Sequence, residues 1–359
     1  MAHILTSPED ISIAWLESML RTTASSVAPE IKDFAISFTR ASTMASIAGV
    51  DIVYDRPAED MPASLFIKTA KLNAKGVPTG SGRKEVYFYN NLTGVIKPGT
   101  VPRCYFASFD EDTKQYTIAL ENISATHDNA AWPEEHYFDQ CCLAIDSFAE
   151  IHAAWWDHPE LERIIAKRTA DDCRNGGIRA RAMLSRFLDA HKNSIPKEYR
   201  DTMLRYNDVC DIVDERYLSN RNISLVHRDA HFWNFMYPKN RTGSVRIIDW
   251  DSYRIDTPTN DIAYYMAIHW YTPQRHRYEW RLLERYHEKL LAHGIKNYSF
   301  EMLIDDYKLS VLSSLFLAAA QWEMGLDETT IWRPNMQHVC EALNDLDCME
   351  AVNRLRGTF

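Results

Sequence analysis

Apolar and polar positions along the 359-residue chain change their period twice. Thr6-Ser7-Pro8-Glu9-Asp10 places a hydroxyl, a proline and two acids where a helix opens, and Ile11, Trp15, Leu16, Met19 and Leu20 then recur at helical spacing. Between 34 and 54 the spacing turns strand-like. Phe34–Phe38 and Ile47–Tyr54 predict two strands around the polar stretch Arg40–Met44, and Ser64–Lys68 predicts a third beyond the turn from Arg56-Pro57 to Met61-Pro62. Gly76, Pro78, Gly80 and Gly82 make residues 71–82 a predicted flexible loop. A helix over 83–93 follows, then strands over 103–109 and 116–120 joined by the acidic turn Asp110–Lys114.

After Asn122 helical spacing takes over. Tyr137, Cys141, Ala144, Phe148, Ile151 and Trp155 step by three and four, as do Tyr307, Val311, Leu315, Ala318 and Trp322 before a stop at Gly325. One β-like island, Ser224–Ile248, interrupts. The pattern predicts an α+β protein of two lobes. Residues 1–122 form the small antiparallel β-sheet lobe, five strands and a helix, and residues 123–359 form the large, mainly helical lobe.

Length agrees, because about 150 residues per domain allows two domains or one two-lobed enzyme. Apolar residues at 46% and charged residues at 25% exclude disordered and collagen-like chains. With 40 Lys and Arg against 50 Asp and Glu, the net charge of −10 argues against a nucleic-acid or membrane-surface partner, both polyanions. Seven cysteines without a CxxC pair suit reduced thiols in the cytoplasm. The N-terminal segment lacks the basic and apolar regions of a signal peptide, and no run of about 20 apolar residues is present.

The chemistry concentrates in Leu225–Phe235 and Val245–Asp251. Asp229 follows an apolar strand end and is placed as a base for a hydroxyl proton. Asn234, five residues on, can offer a neutral oxygen to a hard cation, and Asp249 ends a second apolar strand. The turn Pro238–Gly243 makes the two strands a hairpin that brings Asn234 and Asp249 together. Such a set can hold Mg²⁺ against phosphate oxygens while Asp229 orients a nucleophile, which is a phosphoryl-transfer arrangement.

His227-Arg228-Asp229 with Asn234 reproduces the H-R-D-x-x-x-x-N loop of kinases, and Asp249-Trp250-Asp251 stands where those proteins carry D-F-G. With Leu143–Trp156, these residues make the chain resemble the aminoglycoside phosphotransferase and choline kinase superfamily, and within it the ecdysteroid-kinase-like branch, over about residues 35–325. The resemblance implies a protein-kinase-like fold and an ATP- and Mg²⁺-dependent enzyme that phosphorylates a hydroxyl of a small molecule. It implies Asp229 as the base and Asn234 and Asp249 as the metal ligands. Lys68 would hold ATP phosphates, oriented by Glu85, the only acid between Asp60 and Asp110. Glu121 and Ile123 would form the adenine hinge. The phosphate-covering turn has no glycine, so Ser42 and Thr43 would substitute with hydroxyls and N–H groups. Arg228 stands where many relatives carry Gly. Asp261 resembles the family's helix-start Asp that supports the catalytic loop. It lies 12 residues after Asp249, which leaves no room for an activation loop and peptide-docking segment. The active site is expected at the seam of the lobes.

Other readings stay open at this level. The chain can be a kinase-fold binding protein without catalysis, or His227, Asp229 and His231 can be ligands of a non-haem metal enzyme. The acceptor can be cationic, such as an aminoglycoside or amino alcohol, or a flat apolar alcohol served by the aromatic run Tyr264, Tyr265, Trp270, Tyr271, Tyr278 and Trp280. His152 reads as a buried hydrogen-bonding residue, and the oligomeric state is open.

Overall fold

Two serines near the N-terminus cap separate turns. Ser7 closes a capping box on the 3₁₀ turn Pro8–Asp10, and Ser12 caps the first α-helix by accepting the Trp15 N–H at 3.2 Å. The computed structural model describes residues 3–21, 29–42, 45–57, 60–78, 82–130 and 137–356. In chain order the first elements are α1 (Ile13–Leu20), β1 (Ile31–Ala41), β2 (Ala45–Tyr54), β3 (Ser64–Ala70), α2 (Arg83–Asn91), β4 (Cys104–Phe109), β5 (Tyr116–Glu121) and β6 (His127–Asn129). Next come α3 (Phe138–Ala154), α4 (Leu161–Ile164), α5 (Ala170–Ala190), α6 (Lys197–Asn207), α7 (Asp211–Leu218), β7 (Ser224–Val226), β8 (Phe235–Pro238), β9 (Arg246–Ile247) and β10 (Arg254–Asp256). The last are α8 (Thr259–Ala263), α9 (Thr272–Ala292), α10 (Phe300–Ser313), α11 (Leu317–Glu323), α12 (Arg333–Asp345) and α13 (Cys348–Leu355). The chain divides into two units, Met1–Asp128 with Met236–Ser252, and Asn129–Phe235 with Tyr253–Phe359.

The first unit is built on a five-stranded antiparallel sheet in the order β1-β2-β3-β5-β4. Alternation sets its core: Leu65 and Ile67 of β3, with Ala48, Val50 and Ile52 of β2, bury against Trp15, Leu16, Met19 and Leu20 of α1. Gly82 caps α2, where a Cβ would lie 2.4 Å from the Tyr116 ring. Glycine here answers a close approach, and it lets α2 start with Glu85 in its first turn.

The β-like island 224–248 splits between two sheets. β8 and β9 join β6 in the order β6-β8-β9, whereas β7 pairs antiparallel with β10 in the second unit. There α3 lies along α9, joined by Asp146 to Arg285 at 2.7 Å and by His152 to Tyr286 at 2.7 Å. The single helix predicted through 307–322 is two, α10 and α11, separated by the 3₁₀ turn Ser314–Phe316. Ser313 and Ser314 hydroxyls both bond back to the Ser310 carbonyl, a competition with the helical ladder that apolar spacing does not register. Among the described residues no helix is long and apolar enough to cross a membrane.

Candidate functional site

Within the first unit, Lys68 of β3 and Glu85 of α2 meet at 2.6 Å, and the same ammonium lies 2.7 Å from Asp249 Oδ1. Glu85 is almost fully enclosed, while 44% of the Asp249 side chain is exposed. Burial works against the Lys68 charge, but the two carboxylates outweigh it and hold the ammonium above the ordinary lysine range. Burial lifts Glu85, opposed by Lys68. Asp249 has φ +65°, a left-handed conformation uncommon for a side-chain-bearing residue. Its neighbour Trp250 is buried, stacks on Phe88 of α2 at 4.1 Å and 4°, and donates from Nε1 to the Ile247 carbonyl at 3.0 Å. One face of α2 thus presents Glu85 to Lys68 and Phe88 to Trp250, three residues apart.

Ser42 ends β1 in a turn where its Oγ accepts the Ala45 N–H at 3.0 Å, and its carbonyl accepts from Lys71 at 2.9 Å. Thr43 lies outside the described residues. Lys71, just after the central strand β3, is a second cation at this end of the sheet that the sequence pattern did not single out. At the end of β5, Glu121 donates its N–H to the Arg103 carbonyl at 2.8 Å. The Ile123 carbonyl accepts the N–H groups of Thr126 and His127, so the group of Ile123 that could meet a base is its N–H.

Within the second unit, β7 delivers His227, Arg228 and Asp229. Asp261 of α8, fully buried, accepts the His227 N–H at 2.6 Å and the Arg228 N–H at 2.8 Å. His152 Nε2 lies 3.2 Å from the same carboxylate and His152 Nδ1 lies 2.7 Å from the Tyr286 hydroxyl. These contacts secure a loop that passes through φ +71° at Arg228, the conformation that a glycine would take without strain. Asp229 Oδ2 lies 3.3 Å from His231 Nε2, Oδ1 accepts the Tyr264 hydroxyl at 3.2 Å, and the Asn234 amide donates to the Asp229 carbonyl at 2.9 Å. Burial raises the Asp229 pKa, but the hydrogen bond and charge of His231, then His227 and Tyr264, more than offset it and hold the carboxyl well below its usual range.

Each unit carries one hard oxygen donor of a kind that Mg²⁺ accepts. The Asn234 Nδ2 is spent on Asp229, which leaves the amide oxygen to face a cation, and Asp249 supplies an accessible carboxylate. The His227, Asp229 and His231 metal reading is not supported: His227 is fully buried with Nδ1 accepting the Asp229 N–H. Among the described residues no group of three or more His, Cys, Asp or Glu could hold a metal. Of the aromatic run, Tyr265 and Trp270 are core, Tyr264 reaches Asp229, and Tyr271 lines an open cavity with Thr272, His276, His338, Glu341 and Asp345.

A five-stranded antiparallel sheet with a Lys–Glu pair, and a mainly helical unit carrying the H-R-D loop, define the protein-kinase-like fold class. Solved structures agree. A candidate aminoglycoside phosphotransferase from Ralstonia eutropha JMP134 matches with a TM-score of 0.55 at 12% identity, over 94% of this chain and 97% of that one. A choline/ethanolamine kinase family protein from Mesorhizobium loti matches with a TM-score of 0.50 at 12% identity, over 95% of this chain and 99% of that one. At these identities the likeness establishes the fold. The chain belongs to the ecdysteroid kinase-like family, whose model matches residues 92–297. That span contains Asp229, Asn234, Asp249 and Asp261, while Lys68 and Glu85 precede it. No curated protein sequence matches the chain significantly.

Proposed function

We propose that the protein is an ATP- and Mg²⁺-dependent kinase that transfers the γ-phosphoryl group to a hydroxyl of a small molecule. The observation that carries this reading is the Lys68 ammonium held between Glu85 and Asp249, a buried cation beside a half-exposed carboxylate. Lys68 neutralises phosphate charge, and Glu85 keeps it extended toward that task. Ser42, Glu121 and Ile123 contribute to nucleotide binding. Asn234 and Asp249 hold the metal; Mg²⁺, when bound, offsets charge on the transferring phosphoryl group. Asp229 accepts the acceptor's hydroxyl proton as the new O–P bond forms and the bond from the γ-phosphorus to the bridging oxygen breaks, with ADP leaving. A carboxylate held ionised is a weak base, so its main contribution is orientation of the nucleophile, in keeping with a loose transition state.

The short interval from Asp249 to Asp261 supports a small-molecule acceptor over a protein one. The seven cysteines are unpaired, which suits a reducing compartment, and the cytoplasm is the proposed site of action. An ATP-consumption screen over hydroxylated metabolites and antibiotics, with the phosphorylated product verified by mass, tests the proposal. Transfer that stops on chelation of the divalent cation and in Asp229→Ala supports it. Full activity in Asp229→Ala, or nucleotide binding without transfer to any acceptor, refutes it.

A further inference from the structure

Asp261 and Tyr264 are three residues apart on α8 and the π-helical turn Tyr264–Ile268 that continues it, the spacing that sets two side chains on one face. Asp261 takes the loop by its backbone at His227 and Arg228. Tyr264, one turn on, takes the side chain of the next residue, donating its hydroxyl to Asp229 Oδ1 at 3.2 Å. One short element therefore grips three consecutive loop residues.

The carboxylate needs that grip. The terminal torsion of Asp is broad, so packing of the backbone alone leaves the carboxylate plane free to turn. Oδ2 lies 3.3 Å from His231 and 3.4 Å from the Asn234 amide, about a third of the side chain stays open to an incoming group, and Tyr264 is the contact on the opposite oxygen. The Tyr264 ring is itself held, 5.0 Å from the His269 ring, so its hydroxyl is a fixed donor. A π-helical turn is a rare departure from α geometry that recurs at functional positions, and here it begins at Tyr264.

We infer that Tyr264 is a positioning residue of the proposed phosphoryl transfer, fixing Oδ1 of Asp229 so that the other carboxylate oxygen meets the acceptor hydroxyl in one orientation. The inference rests on the kinase reading. It is tested with the full chain by following ADP release from Mg·ATP, with water as the phosphoryl acceptor, in the wild type, Tyr264→Phe and Asp229→Asn. Loss of one hydrogen bond to a charged group that acts in the transition state lowers kcat about tenfold in Tyr264→Phe, with KM for ATP within about twofold. The thermal midpoint stays that of the wild type, because Phe fills the same space.

Wild-type kcat in Tyr264→Phe with an inactive Asp229→Asn overturns the inference and leaves the kinase reading standing. A lowered midpoint with kcat and KM both impaired overturns it as well, since the role is then structural. ADP release by Asp229→Asn equal to the wild type overturns both.

Discussion

Lys68 Nζ lies 2.7 Å from Asp249 Oδ1 although 181 positions separate the two residues. Glu85, 2.6 Å from the same nitrogen, is the partner that makes this contact costly to disturb, because its side chain is only 3% exposed. Lys68→Met leaves that carboxylate buried without a cation and lowers stability by about 3–5 kcal/mol. Glu85→Gln costs less, and Lys68→Met combined with Glu85→Gln recovers part of the loss. Urea unfolding of the three variants measures the coupling, and each is expected to lose phosphoryl transfer.

Asp261 accepts two backbone N–H groups and faces His152, all in the interior. Asp261→Ala leaves those donors unsatisfied beside a left-handed residue, at about 1–3 kcal/mol for each group. Its pKa is depressed: burial raises it, but the His152 hydrogen bond and charge, the His227 charge and the Arg228 N–H prevail. The stabilisation is therefore present above the unfolded Asp pKa of about 3.9 and lost as pH falls through the lower folded value. Acid unfolding below about pH 4 is expected to be steeper in the wild type than in Asp261→Ala, as followed by circular dichroism.

His269 has its pKa pushed down to about 3, first by burial and then by the charges of His231 and His338 against the opposing Asp229. The unfolded chain then binds the extra proton between about pH 3 and 6.5, so stability rises with pH across that window and is complete above it. His338, depressed first by burial, adds the same sign. Chemical denaturation at a series of pH values between 4 and 7 is expected to show this slope, of up to about 1.4 kcal/mol per pH unit for one group, and His269→Phe to flatten it.

Phe88 is fully buried and its ring stacks on Trp250, next to Asp249. Phe88→Ala removes that face and costs about 3–5 kcal/mol, whereas Phe88→Leu keeps most of the volume and costs less. Nucleotide affinity by calorimetry is expected to fall in Phe88→Ala even where the protein remains folded, since Trp250, next to the proposed metal ligand Asp249, has lost its support.

The local pattern was sufficient for much of this. Strand-like spacing over 34–54 and 64–68 dictated strands, and β1, β2 and β3 are those strands extended by a few residues; β2 and β3 carry the buried face, while β1 past Ile31 is largely exposed. The H-R-D loop with Asn234, and the lone acid Glu85 after a glycine-rich stretch, were legible because each is contiguous or has no rival nearby. What spacing cannot carry is partner choice. β7 was contiguous with β8 and β9 in sequence, yet it pairs with β10, since strand pairing is decided by which edge donors are left to satisfy. The helix over 307–322 read as one because its apolar face is continuous, while serine hydroxyls competing for the Ser310 carbonyl divide it. Tyr264 looked like one ring in an aromatic run; only the turn that places it three residues from Asp261 sets its hydroxyl on Asp229. The sequence by itself determined which groups can do chemistry, because that depends on residue type. The tertiary structure alone decided which of them are held, by whom and with what charge, because hydrogen bonds and burial couple residues such as Lys68 and Asp249 that the chain keeps far apart.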